Sequence, residues 1–200
     1  EMHRKGYAVS VLWGDRQRYA PFGYENAGTV CELTVTPRSI SRTGMKPSGV
    51  RRWLGEKEIL RRIHQTYSSA PFRKYRTVKE TEGCLSKRDC TVYVCLQKGE
   101  FAYLVRGPWK GQVSEHGGSP SGILRILLHI DKQAGLGPTA VPFPDRSSIP
   151  DILLDAAADW RIRPTGMVRI LDLVRLFSAY RPVLEERFPV RVVVRGNEVT

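Results

Sequence analysis

Apolar residues recur along this chain at two spacings, one that strands require and one that helices require. The run "YAVSVLWG", residues 7–14, is almost continuously β-branched and apolar, which predicts a strand covered on both faces inside a mixed sheet. It stops at Gly14-Asp15. A short helical turn through "RQRYAPF" is expected next, with Asp15 as its N-cap and Pro21 limiting its length, before Gly23 turns the chain into the alternating strand pattern "TVCELTVTP". Residues 37–47 then shift to Ser, Thr, Arg, Gly and Pro, the composition of an exposed linker at a domain boundary.

Residues 56–67 return to a helical period, with Ile59, Leu60, Ile63 and Tyr67 on one face. "TVYVCLQKGEFAYLVRG" reads as two strands about a Lys98-Gly99 turn, and residues 112–115 as another short strand. Ser119 caps and Pro120 opens a helix through "GILRILLHIDKQAG", whose apolar positions run nearly all round, so it belongs in a core. After the extended, proline-rich "GPTAVPFPD", Ser148 and Asp151 form a capping signal. Ile149, Ile152, Leu153, Ala156, Ala157 and Trp160 then predict an amphipathic helix over 149–160. A composition break at "RIRPTG" precedes the strand-like "MVRILD", a helix carrying Leu173, Leu176, Phe177, Tyr180 and Leu184, and a last strand-like run, "VRVVVRG". These elements place the chain in the α/β (α+β) class.

Charge narrows the range of partners. Lys and Arg outnumber Asp and Glu by 32 to 20 in 200 residues, a formal +12. The excess is dispersed: Arg51-Arg52, Arg61-Arg62 and Lys87-Arg88 are isolated pairs, and no basic run interleaves with stacking aromatics. No nucleic-acid partner is therefore expected. No apolar run reaches the roughly 18 residues a membrane span needs, and "EMHRK" is not a signal peptide, so the expected location is the cytoplasm, away from membranes. Glu1 in place of a start Met, and an apolar β-type run just before Thr200, read as cut ends of a longer protein.

Cys31, Cys84, Cys90 and Cys95 contain no close ligand pair, so no metal is expected, and Cys95 in "TVYVCL" reads as a buried apolar thiol. "HGGSPSG" has two glycines before a helix start, as an anion nest does, but lacks the spacing and lysine of a Walker loop. His116 there reads as a strand-end or interface residue. His64 and His129 read as ordinary helix residues, and His3 as part of a frayed terminus.

The sharpest chemical signal is "DRQRYAPFGYENAG", residues 15–28. With the strand before it, it resembles the last conserved part of a GCN5-related N-acetyltransferase (GNAT) domain, in which a strand ends beside an acyl-CoA thioester and a short helix carries Tyr-x-x-x-Gly-aromatic. That pattern stands here as Tyr19, Gly23 and Tyr24. "EFAYLVRGP…VSEHGG", the Ser-Pro-capped helix and "MVRILDLVRLFSAYRPVLEERF" are similar to the remainder of the multidomain, Eis-like (enhanced intracellular survival) bacterial acetyltransferases.

The resemblance implies three segments: 1–36 as the end of a catalytic GNAT domain, 37–165 as a second, degenerate GNAT-like domain, and 166–200 as the start of a sterol-carrier-like domain. It further implies acetyl-CoA as co-substrate, a small-molecule or protein amine as acceptor, and a homo-oligomer at full length. Tyr19 would be the general acid and, with Gly23, would lie against the cofactor arm; Trp13 would either line the acceptor pocket or pack in the core. Phe22 and Tyr24 read as packing residues, and Glu25 as either a base acting through water or a solvated carboxylate. The family's Arg/Gln-x-x-Gly-x-Gly/Ala pyrophosphate loop has no counterpart before Tyr7, so this chain alone is expected neither to bind acetyl-CoA tightly nor to turn over. The alternative is a non-catalytic binding or scaffold protein whose sterol-carrier-like apolar cavity holds a ligand or partner.

Overall fold

The computed structural model describes residues 2, 4–71, 73–97, 99–107, 112–135, 137–187, 194–195 and 198–199. In chain order the first elements are β1 (Val9–Leu12), α1 (Arg16–Tyr19), a 3-10 turn (Ala20–Phe22), β2 (Glu25–Val35), α2 (Pro37–Ser41), β3 (Val50–Arg52), α3 (Lys57–Ser69) and α4 (Val78–Leu85). They continue as β4 (Thr91–Gln97), β5 (Glu100–Arg106), β6 (Val113–Gly118), α5 (Pro120–Ala134), β7 (Thr139–Phe143), α6 (Asp151–Asp155), β8 (Asp159–Ile170), α7 (Leu173–Arg187), β9 (Val194–Arg195) and β10 (Glu198–Val199). Contacts divide the chain into two units: Glu1–Thr29 with Pro164–Thr200, and Val30–Arg163. β2 and β8 each contribute residues to both.

In the first unit β1 pairs antiparallel with the end of β8, from Val9 opposite Ile170 to Leu12 opposite Met167. The expected coverage of β1 on both faces is not found: Val11 is 51% exposed and Val9 and Leu12 are half-buried. A continuous apolar run marks a strand because β-branched side chains suit the pleat, but it does not fix the depth of that strand. α7 forms where expected, with Leu173, Leu176, Phe177 and Leu184 half-buried and Tyr180 exposed. Within "VRVVVRG" only Val194 and Arg195 are described; they pair with Val199 and Glu198, and the remaining residues of that run lie outside the described residues.

The second unit holds the main core. Its four-stranded antiparallel sheet has the order β3-β4-β5-β6, with α5 on one face and α3 on the other. The alternation of β5 shows why: Ala102 and Leu104 enter the cluster with Ile123, Leu124 and Leu127, while Tyr103 and Val105 join Ile59, Leu60 and Ile63. α5 is built as its sequence dictates. Ser119 Oγ accepts the Gly122 N–H at 3.2 Å, Pro120 sits at the first turn, and the helix ends at Gly135, whose φ of 65° few other residues adopt. β2 pairs antiparallel with β7 from Cys31 opposite Phe143 to Val35 opposite Thr139, and Gln112 bridges Ala140 in parallel.

Three expectations fail in this unit. The supposed linker at 37–47 begins with α2, where Thr36 and Ser39 cap each other reciprocally and Ile40 is buried. The helix expected over 149–160 shrinks to α6, and Ser148 bonds Asp145 instead of capping it. Trp160 belongs to β8, which runs straight through the expected break at "RIRPTG". Ile149, Leu153 and Ala156 do bury, so the apolar spacing was real. The Ala158 N–H bonds the Thr34 carbonyl, so β pairing takes over where the helix was expected to continue.

Candidate active site

The Tyr19 site assembles from the first unit's own turn chemistry. Asp15 Oδ1 accepts the Gln17 N–H at 2.9 Å and starts α1, so Tyr19 falls at the last position of a single helical turn. Pro21 converts the next residues to a 3-10 turn, and Gly23 ends it at a φ of 76° with its N–H on the Ala20 carbonyl at 2.9 Å. The chain thereby doubles back, and Tyr24 enters β2's approach as the buried member of the motif, 8% exposed.

Two contacts hold the Tyr19 ring. A side chain at Gly14 would place its Cβ 2.5 Å from Tyr19 Cε2, so the phenol lies directly against the backbone at the end of β1. The ring also meets Tyr24 edge-on, with centroids 6.2 Å apart and planes at 70°. Tyr24 is itself pinned by a 2.6 Å hydrogen bond between its hydroxyl and Ser10 Oγ on β1. Tyr19 is half-buried, and its hydroxyl has no hydrogen-bond partner among the described residues.

The other expected residues separate. Gly23 supplies the turn, with Arg169 the nearest side chain to it. Trp13 is 76% exposed, so it is not a core residue; its indole lies beside Gly166. Phe22 is exposed at 61% and does not pack, whereas Tyr24 does. Glu25 is exposed and forms a two-pronged pair with Arg16 at 2.9 and 3.0 Å, the solvated alternative.

The second unit contains groups that the sequence reading left unassigned. Glu32, 5% exposed, receives Arg161 at 3.1 and 3.2 Å and Arg163, and the Arg163 hydrogen bond is the main cause holding its carboxyl below the usual range. A cavity of about 720 Å³ opens between the end of α3, β6, the start of α5 and the end of β7. Tyr67, Tyr103, His116 and Phe143 line it with several prolines. Glu115 there is neutralised by Arg76 at 2.7 Å and accepts the Tyr103 hydroxyl at 3.0 Å; Arg76 also stacks 3.9 Å over the Tyr67 ring. Burial pushes the Tyr103 phenol far up, so it stays protonated.

His116 is the one predicted residue that this cavity takes up. Its Nε2 donates to the Pro142 carbonyl at 2.7 Å, its ring lies 4.7 Å from Phe143, and burial lowers its pKa, so it is a neutral imidazole. Glycine 118, with a φ of 96°, lies so close to β5 that a Cβ would fall 2.2 Å from the Phe101 carbonyl. "HGGSPSG" is thus a tight strand-to-helix corner. Alternation on β6 was the missed signal, since Glu115 points to the α3 side.

Of the remaining candidates, His64 Nδ1 lies 3.0 Å from Thr81 Oγ1, and His129 meets Tyr93 edge-on; His3 and Lys98 lie outside the described residues. Cys31 and Cys95 are buried, which pushes both thiols up and leaves them poor nucleophiles. Among the described residues no group of three or more His, Cys, Asp or Glu is placed to hold a metal ion, and no helix is long and apolar enough to cross a membrane.

The architecture is α+β with antiparallel sheets, and it is similar to that of solved acyltransferase structures. A GCN5-related N-acetyltransferase from Kribbella flavida matches with a TM-score of 0.54 and 16% identity, over 88% of this chain and 47% of its own. One from Anabaena variabilis gives 0.55 and 16%, over 89% and 50%. A conserved protein of unknown function from Enterococcus faecalis, a probable N-acyltransferase, gives 0.60 and 17%, over 90% and 49%. At these identities the likeness is one of fold: the chain has a GNAT-like fold and spans about half the length of the solved structures it matches. No family model and no curated protein matches it.

Proposed function

We propose that the chain serves an N-acetyltransferase that moves an acetyl group from acetyl-CoA to an amine, with Tyr19 as general acid. The observation that carries this is the Tyr19 phenol at the end of β1, held by Gly14 and Tyr24, with no partner for its hydroxyl among the described residues. Acetyl-CoA, when bound, supplies an acyl group activated as a thioester. An amine attacking that carbonyl forms the C–N bond, and the C–S bond breaks as Tyr19 delivers its phenolic proton to the departing sulfur. Gly14 and the Ser10–Tyr24 pair keep the hydroxyl on one line of approach, and the proton lost from the amine passes to solvent.

The residues fit the thioester end of acetyl-CoA better than its pyrophosphate. The described chain has one glycine pair opening a long helix, at α5. There Pro120 has no N–H, the Gly122 N–H goes to Ser119 Oγ and the Ile123 N–H goes to the Ser119 carbonyl. That corner offers little to an anion. The anion cradle is accordingly not assigned to this chain.

A second reading has one observation behind it. α7 buries no residue, and Val174, Tyr180 and Val183 are 46%, 58% and 45% exposed, as an apolar-ligand or partner surface of a sterol-carrier-like segment would be. One experiment separates the two. Thiol release from acetyl-CoA, measured on the full-length protein across a panel of amines, should appear with at least one amine. Silence across the panel, with lipid or partner binding intact, would establish the second reading instead.

A further inference from the structure

We propose that the cavity in the second unit is a separate small-molecule site, selective for an uncharged, largely apolar ligand. Its volume of about 720 Å³ falls within the range of small-molecule pockets, and its exposed wall is mostly apolar, with four rings, five prolines and Ile123 among polar residues. What sets the ligand class is that, among the described buried and half-buried wall residues, no charge is left without a counter-charge. The carboxylate of Glu115 is balanced by Arg76 and bonded by the Tyr103 hydroxyl. The phenol of Tyr103 and the imidazole of His116 are both held neutral by burial. Two wall residues, Asp145, which accepts from Ser147 Oγ and the Ser148 N–H at 2.7 and 2.8 Å, and Arg73, which donates to the Ala70 carbonyl, keep their charges, and both are exposed to solvent.

The helix start does not change this balance, because Pro120 and Ser119 consume most of the first-turn donors of α5. A charged ligand seated against the buried walls would leave water without meeting a free counter-charge there, since Arg73 and Asp145 lie exposed, whereas an uncharged one would trade water for apolar and aromatic wall. The site shares no residue with the Tyr19 site, so it stands or falls independently of the acetyl-transfer reading.

Three probes with one ring system test the charge selectivity on the full chain: indole, tryptamine as its cation and indole-3-acetate as its anion. Histidine-ring NMR reports occupancy, because His116 is a wall of the cavity. The expected result is that indole shifts the His116 ring signals and that both ions bind weaker by on the order of tenfold or more. Acetyl-CoA, as a fourth probe, should leave those signals in place. Ile123→Trp, which fills the space, should abolish the indole response. If that variant fails to fold, the wild-type probe series still decides the matter. No response to indole, or a response to indole-3-acetate or acetyl-CoA as strong as that to indole, overturns the proposal.

Discussion

Gly14→Ala probes the Tyr19 geometry without touching the phenol. The Gly14 backbone does not lie in the left-handed region, so alanine fits the chain itself, and the cost falls on the neighbour. The new Cβ would stand 2.5 Å from Tyr19 Cε2, against 3.4 Å for the shortest ordinary contact, so the ring must retreat by about 0.9 Å. Displacing a reacting group by roughly 1 Å costs about 100-fold in rate. Half-buried Tyr19 has room to move, so the stability cost should stay near the ~1 kcal/mol of an average substitution. The assay is thiol release from acetyl-CoA by the full-length protein, with a thermal melt in parallel. In the Tyr19→Phe background the same glycine change should do little, because the hydroxyl it misplaces is already gone. An unchanged kcat for Gly14→Ala in a folded protein refutes the reasoning.

Two further predictions concern the second unit. Leu124→Ala empties a site with no exposure in the main core and should cost about 2–5 kcal/mol, read as a lowered urea midpoint. Glu32 is held below the usual carboxylate range, first by the Arg163 hydrogen bond; its contribution is therefore full above the ordinary glutamate value of 4.5 and is lost as pH falls from there through the lowered folded pKa. Glu32→Gln should flatten that acid limb in urea melts between neutral and acid pH, and an unaltered limb would contradict the assignment.

The strongest local grammar in the sequence survives intact in the structure. Ile59, Leu60, Ile63 and Tyr67 all bury on α3, and the Ser119-Pro120 start and Gly135 stop frame α5 as read. Elements that depend on reciprocal side-chain caps were less legible. α2 is only five residues long and lies in a polar stretch, so its Thr36–Ser39 capping box was hidden by composition. α4 has a Thr77-x-x-Glu80 box in plain sight, but too few apolar positions to carry a period. The 149–160 stretch failed for a different reason. Apolar spacing says which residues are covered, and Leu153 and Ala156 are, but only tertiary pairing decides that β8 begins at Asp159.

The candidate site divides in the same way. Tyr19, Gly23 and the Asp15 cap follow from a contiguous motif, so adjacent residues define them. Gly14 meets the Tyr19 ring and Ser10 holds Tyr24 through the return of the chain, and the Glu115–Arg76–Tyr103 cluster joins β6, the segment before α4 and β5, which no local pattern reveals. Trp13 shows the limit of motif position: it sits at the expected strand end, yet it faces solvent.

Tyr19→Phe in the full-length protein keeps the ring against Gly14 and removes only the oxygen. With acetyl-CoA and a productive amine, kcat should fall by about 10²–10⁴-fold while KM for the amine stays near its wild-type value. A phenylalanine variant that folds normally and turns over at the wild-type kcat would contradict the assignment of Tyr19 as the proton donor.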